Sequence, residues 1–109
     1  MDEREFQKKC DAALGDLRRR LLELSDEHGF DVEGEGEKLE LLFDEPEETK
    51  SILSPNSAAR QIWISALATS FKLGWSDAAG AFLLDKSGET LAEVMSRILT
   101  QQLGTEIRV

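Results

Sequence analysis

The chain has 109 residues, 40% of them hydrophobic, and a formal charge of −9. That length suits one domain, here 1–109, and the apolar content suits one modest core and excludes a disordered tail. With one cysteine (Cys10) and one histidine (His28), an internal disulfide is impossible, and neither a Cys/His zinc site nor a His-based catalytic triad is expected.

Asp2 to Asp26 reads as an amphipathic helix. Phe6, Cys10, Ala13, Leu14, Leu17, Leu21 and Leu24 recur at spacings of three and four, and Gly29 stands where a helix stop is expected. The opening Met1-Asp2-Glu3-Arg4-Glu5 has neither the basic and apolar regions of a secretory signal nor the basic character of a transit peptide. No run approaches the ~18 apolar residues of a membrane helix. A cytoplasmic protein is expected.

The period then changes to two. Phe30 and Val32 alternate with Asp31 and Glu33, Gly34-Glu35-Gly36-Glu37 forms a turn, and Leu39, Leu41 and Phe43 alternate again. This predicts a hairpin with one apolar face. Asp44-Glu45-Pro46-Glu47-Glu48 is a second turn. Ser51-Ile52-Leu53 is a third strand, ended by Ser54-Pro55-Asn56. Arg60 to Leu67 is the next strand. Phe71 to Trp75 and Ala81 to Leu84 form a further hairpin around Ser76–Gly80. A last helix carries Leu91, Val94, Met95, Ile98 and Leu103 on one face. Thr90 and Glu93 match a capping box, and Gly104 ends the helix. Ile107 and Val109 in the tail are placed to pad the core. The expected fold is α+β, with two helices packed on one face of an antiparallel sheet of about six strands and the other face open.

Charge is unevenly spread. Residues 1–48 hold 17 acids against 7 basic residues, a net of −10, and residues 49–109 hold 5 against 6, a net of +1. The acidic half repels nucleic acid and anionic membranes and attracts cations and basic protein surfaces. The densest cluster is Glu23, Asp26, Glu27, Asp31, Glu33, Glu35 and Glu37. Glu23, Asp26 and Glu27 share a helix face, and Asp31 and Glu33 share a strand face. Oxygen-only ligands suit hard cations, and without a preorganised cage they bind weakly. A solvated acidic surface kept for solubility explains the same residues. Arg18, Arg19 and Arg20 interrupt the acidity, with Asp16–Arg20 and Arg19–Glu23 spaced to pair. In Gln61-Ile62-Trp63-Ile64-Ser65 alternation puts the isoleucines on one face and Trp63 on the other. With Ile62 and Ile64 against the helices, Trp63 is a candidate partner anchor on the open face. No nucleophile–base pair, phosphate loop or nucleophile elbow is present.

These pieces together resemble the frataxin family, in particular its bacterial branch. The resemblance is carried by Gln61-Ile62-Trp63-Ile64-Ser65, by Asp85-Lys86-Ser87-Gly88-Glu89-Thr90-Leu91 and by Thr100-Gln101-Gln102-Leu103-Gly104. The Glu5-Phe6 start and the order of elements add to it. The resemblance implies a two-layer sandwich that modulates iron–sulfur cluster assembly by docking on a complex of cysteine desulfurase and scaffold protein. It implies weak binding of ferrous or ferric iron by an acidic ridge, here Glu23, Glu27, Asp31 and Glu33 with Asp26 nearby. It implies a partner surface at Arg60, Gln61 and Trp63, joined by Glu27, Asp31 and Glu33. A monomer is expected, with iron-dependent oligomers, ferroxidase activity or iron storage as family alternatives. A generic acidic interaction domain without an iron role is a further alternative. Arg18, Arg19, Leu22 and Gly29 stand at positions that are acidic in the family, which predicts weaker iron binding here.

Overall fold

The computed structural model describes residues 1–35, 37–44 and 47–109. Gly36 in the first predicted turn and Glu45 and Pro46 in the second lie outside the described residues, and of Glu35 only the backbone is described. Helix α1 (Glu3–His28) is followed by strands β1 (Asp31–Glu35), β2 (Lys38–Phe43), β3 (Thr49–Asn56), β4 (Gln61–Ala66), β5 (Thr69–Ser76) and β6 (Ala81–Leu84), and then by helix α2 (Leu91–Leu103). The strands form one antiparallel sheet in chain order, β1 to β6. Both helices pack on one face, so the fold is the α+β sandwich expected.

Both helices are closed by their own side chains. The Asp2 carboxylate accepts from the Glu5 amide at 2.8 Å and starts α1. Gly29, left-handed at φ 73°, ends it as expected, with its amide on the Ser25 carbonyl, and the helix runs two residues past Asp26 to His28. At α2 the capping box is reciprocal: the Glu93 amide reaches Thr90 Oγ1 at 3.2 Å and the Thr90 amide reaches Glu93 Oε1 at 3.0 Å.

The core is the meeting of the two periodicities. Phe6, Cys10, Leu14, Leu17 and Leu21 of α1 and Val94, Met95, Ile98 and Leu99 of α2 are buried against Leu39, Leu41, Phe43, Leu53, Ile62, Ile64 and Leu73 of the sheet. Leu24 and Val32, expected to face the core, pack against it and are partly buried. Phe82 stacks edge-on with Phe6 at 6.1 Å and with Trp75 at 5.2 Å, tying α1 to the last hairpin. The tail folds back as expected: Ile107 is buried, and its amide and carbonyl both bond Thr100 Oγ1.

Several boundaries differ from the sequence reading, among them that of β5, which runs beyond Phe71–Trp75 at both ends. Gly34 and Glu35 belong to β1, not to the turn. β3 runs on through Ser54, Pro55 and Asn56, with Pro55 opposite Ile62. Proline's fixed φ fits an extended strand, and one residue from the strand end its missing N–H costs the ladder little. Asn56 closes the strand, its side chain accepting from the Ala59 amide at 2.9 Å. β4 is shorter than Arg60–Leu67 because both of those residues have positive φ, 55° and 53°, outside the strand region.

Candidate functional site on the acidic rim and the open sheet face

The acidic rim begins where α1 ends. Glu23, Asp26 and Glu27 are exposed on the last turns of the helix. Gly29 turns the chain, Phe30 is buried against Phe43 with ring centroids 5.5 Å apart, and Asp31 and Glu33 follow, exposed on β1. Burial of Phe30 fixes the alternation, so Asp31 and Glu33 point to the open side with Leu42 and Glu40 of β2 opposite them. Among the described residues no three Asp, Glu, His or Cys side chains come together in a group able to hold a metal ion. The carboxylates string along the rim, a geometry suited to loose attraction of hard cations and not to one caged ion.

Cations interrupt the strand end of that rim. Glu33 faces Glu40 across the ladder, a like-charge pair that costs stability. Lys38 Nζ lies 3.1 Å from Glu40 Oε1. Arg18 reaches down from α1 so that its Nη1 would lie 3.5 Å from a Cβ placed on Gly34. Arg18, Glu33, Gly34, Lys38 and Glu40 line one shallow groove. Farther up the helix Asp16 holds Arg19 at 2.9 Å and Arg20 at 3.1 Å. The spacing pair Arg19–Glu23 is not formed.

On β4, Ile62 and Ile64 are buried and Trp63 is 37% exposed, so the tryptophan stands on the open face. Its neighbours across the ladder are Ser54 on β3 and Lys72 on β5. Trp63 Nε1 donates to Gln61 Oε1 at 2.8 Å, and the Lys72 ammonium lies over the indole, 4.8 Å from its centre. Arg60, just before β4, is held at positive φ with its guanidinium on the Ser57 carbonyl.

The sequence-predicted site residues thus form two groups on one molecule: Glu23, Asp26, Glu27, Asp31 and Glu33 on the rim, and Arg60, Gln61 and Trp63 at the middle of the sheet. Lys72 escaped sequence reasoning. Its meeting with Trp63 depends on the β4–β5 register, which a two-residue loop without Gly or Asn sets, so the usual hairpin signal is missing. Cys10 belongs to neither group. Burial, with Asp11 and Glu37 nearby, pushes its thiol up to about 12, which makes it an inert part of the core. Among the described residues no helix is long and apolar enough to cross a membrane.

The Frataxin-like domain family matches residues 1–105 of the chain. The iron-sulfur cluster assembly protein CyaY of Ralstonia nicotianae is 30% identical over 109 residues, which cover 98% of this chain and 93% of that protein. The CyaY protein of Azotobacter vinelandii is 27% identical over 94 residues, 86% of each chain. The solved structure of a frataxin from Psychromonas ingrahamii superposes with a TM-score of 0.76 at 23% identity, covering 99% of this chain and 97% of that one.

Proposed function

Because this chain belongs to the Frataxin-like domain family, we propose that it is a cytoplasmic modulator of iron–sulfur cluster assembly that docks, as a monomer, on the cysteine desulfurase and scaffold protein and binds iron weakly. The observation that most supports this reading is the pairing of two exposed features that the core does not need. They are the carboxylates Glu23, Asp26, Glu27, Asp31 and Glu33, and the indole of Trp63. Curated relatives along nearly the whole chain carry the name iron-sulfur cluster assembly protein.

In this reading the rim meets a basic patch of the desulfurase, and Trp63 with Gln61 and Arg60 meets the scaffold. Exposed carboxylates attract through space, so docking is fast and salt-sensitive. The exposed indole contributes by being desolvated on contact. Iron as cargo is held by carboxylate oxygens only, several ions loosely and in exchange.

The test is a pull-down with purified desulfurase and scaffold at two salt concentrations. Wild type should bind at low salt and release steeply as salt rises. Glu27→Lys, Asp31→Lys and Glu33→Lys together should abolish docking on the desulfurase while leaving the fold intact, since all three are exposed. Trp63→Ala should impair the ternary assembly more than the binary one. A complex that ignores both salt and the triple reversal would remove the rim from the mechanism.

A further inference from the structure

The open face of the sheet is divided by charge. β1 and β2 turn Asp31, Glu33 and Glu40 outward. None of the strands β3, β4, β5 and β6 contains an aspartate or glutamate, in a chain with 22 acids and 13 basic residues. The surface around Trp63 is made by Ile52, Ser54, Ser65, Ser70 and Lys72. It is apolar, hydroxyl-bearing and, at one point, cationic.

Lys72 is the informative residue. Some cations of this molecule pair with carboxylates, Lys38 with Glu40, Arg19 and Arg20 with Asp16 and Arg97 with Glu89, whereas Lys72, like Lys9 over Trp75, rests on an aromatic ring. Among the described residues no carboxylate pairs with Lys72. Its ammonium rests on the Trp63 ring, which satisfies one side of it and leaves the outer side to solvent. The indole N–H is already bonded to Gln61, so an incoming surface need supply no acceptor for it. What the site lacks is an anion for Lys72 and an apolar recess for the indole. Trp63 and Lys72 are also preorganised, each holding the other, which lowers the ordering cost of contact.

Resting on the assembly role proposed above, we infer that the Trp63 face takes an acidic protein surface, one with a carboxylate opposite Lys72 beside an apolar recess for the indole. The rim and the sheet face therefore address surfaces of opposite sign, and the chain bridges a basic patch and an acidic one. A nucleic acid would also pair an anion with an aromatic platform, but the net charge of −9 opposes it.

Two measurements test this. The first needs no partner. In a Trp75→Phe background Trp63 is the one remaining tryptophan of two, and its fluorescence is quenched with iodide and with caesium, each normalised to neutral acrylamide. Iodide should quench more strongly than caesium despite the negative net charge, and Lys72→Glu should invert the order. Caesium quenching that equals or exceeds iodide quenching before that change overturns the inference. Should Trp75→Phe perturb the fold, the difference between wild type and Trp63→Phe supplies the same ratio.

The second measures affinity for purified scaffold protein and for desulfurase. Lys72→Glu should weaken binding to the component that meets the Trp63 face by about tenfold or more, while Lys72→Arg stays within about twofold. Lys72→Glu that binds as tightly as wild type overturns the inference. A wild-type chain that binds neither protein defeats the assembly reading instead, and the quenching order then decides the charge preference alone. Retention of a single-stranded oligonucleotide through Trp63 and Lys72 would overturn the acidic-protein assignment.

Discussion

Leu67 and Ala68 are consecutive residues with positive φ, 53° and 57°, and they form the whole loop between the paired Ala66 and Thr69. This is the backbone of a tight hairpin turn, made by two residues that pay a steric penalty to adopt it. The loop sets the register that brings Lys72 opposite Trp63. Ala68 is exposed, so Ala68→Gly removes a Cβ that packs little. Stability to urea should rise by about 1 kcal/mol with the Lys72–Trp63 contact unchanged. A loss of stability would show that the left-handed backbone there is not strained.

Leu21 is fully buried where α1 crosses the sheet. Leu21→Ala should cost about 2–5 kcal/mol, from lost transfer free energy and the cavity left behind. Chemical denaturation with an unchanged slope would locate the loss in the native state. Leu22→Ala, one position along and exposed, is the control and should change stability little.

Arg97 binds Glu89 through two hydrogen bonds, 3.1 Å to Oε2 and 2.9 Å to Oε1, and Ser87 adds a third at 2.7 Å. These bonds, first that to Arg97, hold the Glu89 carboxyl below its ordinary value of 4.5. A lowered folded value means stability that is present above the ordinary carboxyl range and is lost as pH falls through the folded value. Glu89→Gln should therefore be less stable than wild type by about 0.5–1 kcal/mol at neutral pH. The gap should close on acidification below the carboxyl range, as thermal melts against pH would record. A gap that persists to low pH would assign it to packing and not to charge.

Arg18 lines one groove with Glu33, Lys38 and Glu40. In the proposed reading its cation lowers the attraction of that end of the rim for metal ions. Arg18→Glu should raise the affinity for manganese, a surrogate for ferrous iron, by about threefold or more, with paramagnetic broadening spreading from Asp26 and Glu27 towards Glu33. Unchanged affinity would place the cation-binding positions on the helix alone.

Much of this protein is legible without coordinates because each element carries its own local signal. The 3.6-residue stripe from Phe6 to Leu24, the alternation through Leu39, Leu41 and Phe43, and Thr90 with Glu93 each constrain a few neighbouring residues. Burial of one face then leaves one orientation for Ile62 and Ile64, and hence for Trp63. The clustering of carboxylates between Glu23 and Glu33 is likewise plain from the chain, since residues close in sequence stay close in space. What depends on pairing between distant segments is decided only by the tertiary structure. Arg18 reaches the Gly34 strand because α1 packs along β1. Glu33 meets Glu40 because of the hairpin register. Lys72 covers Trp63 because Leu67 and Ala68 turn in two residues, against their own backbone preference. Such a turn is held by the strands on either side of it, which bury Ile64 opposite Phe71, and packing energy of that kind leaves no mark on the local sequence.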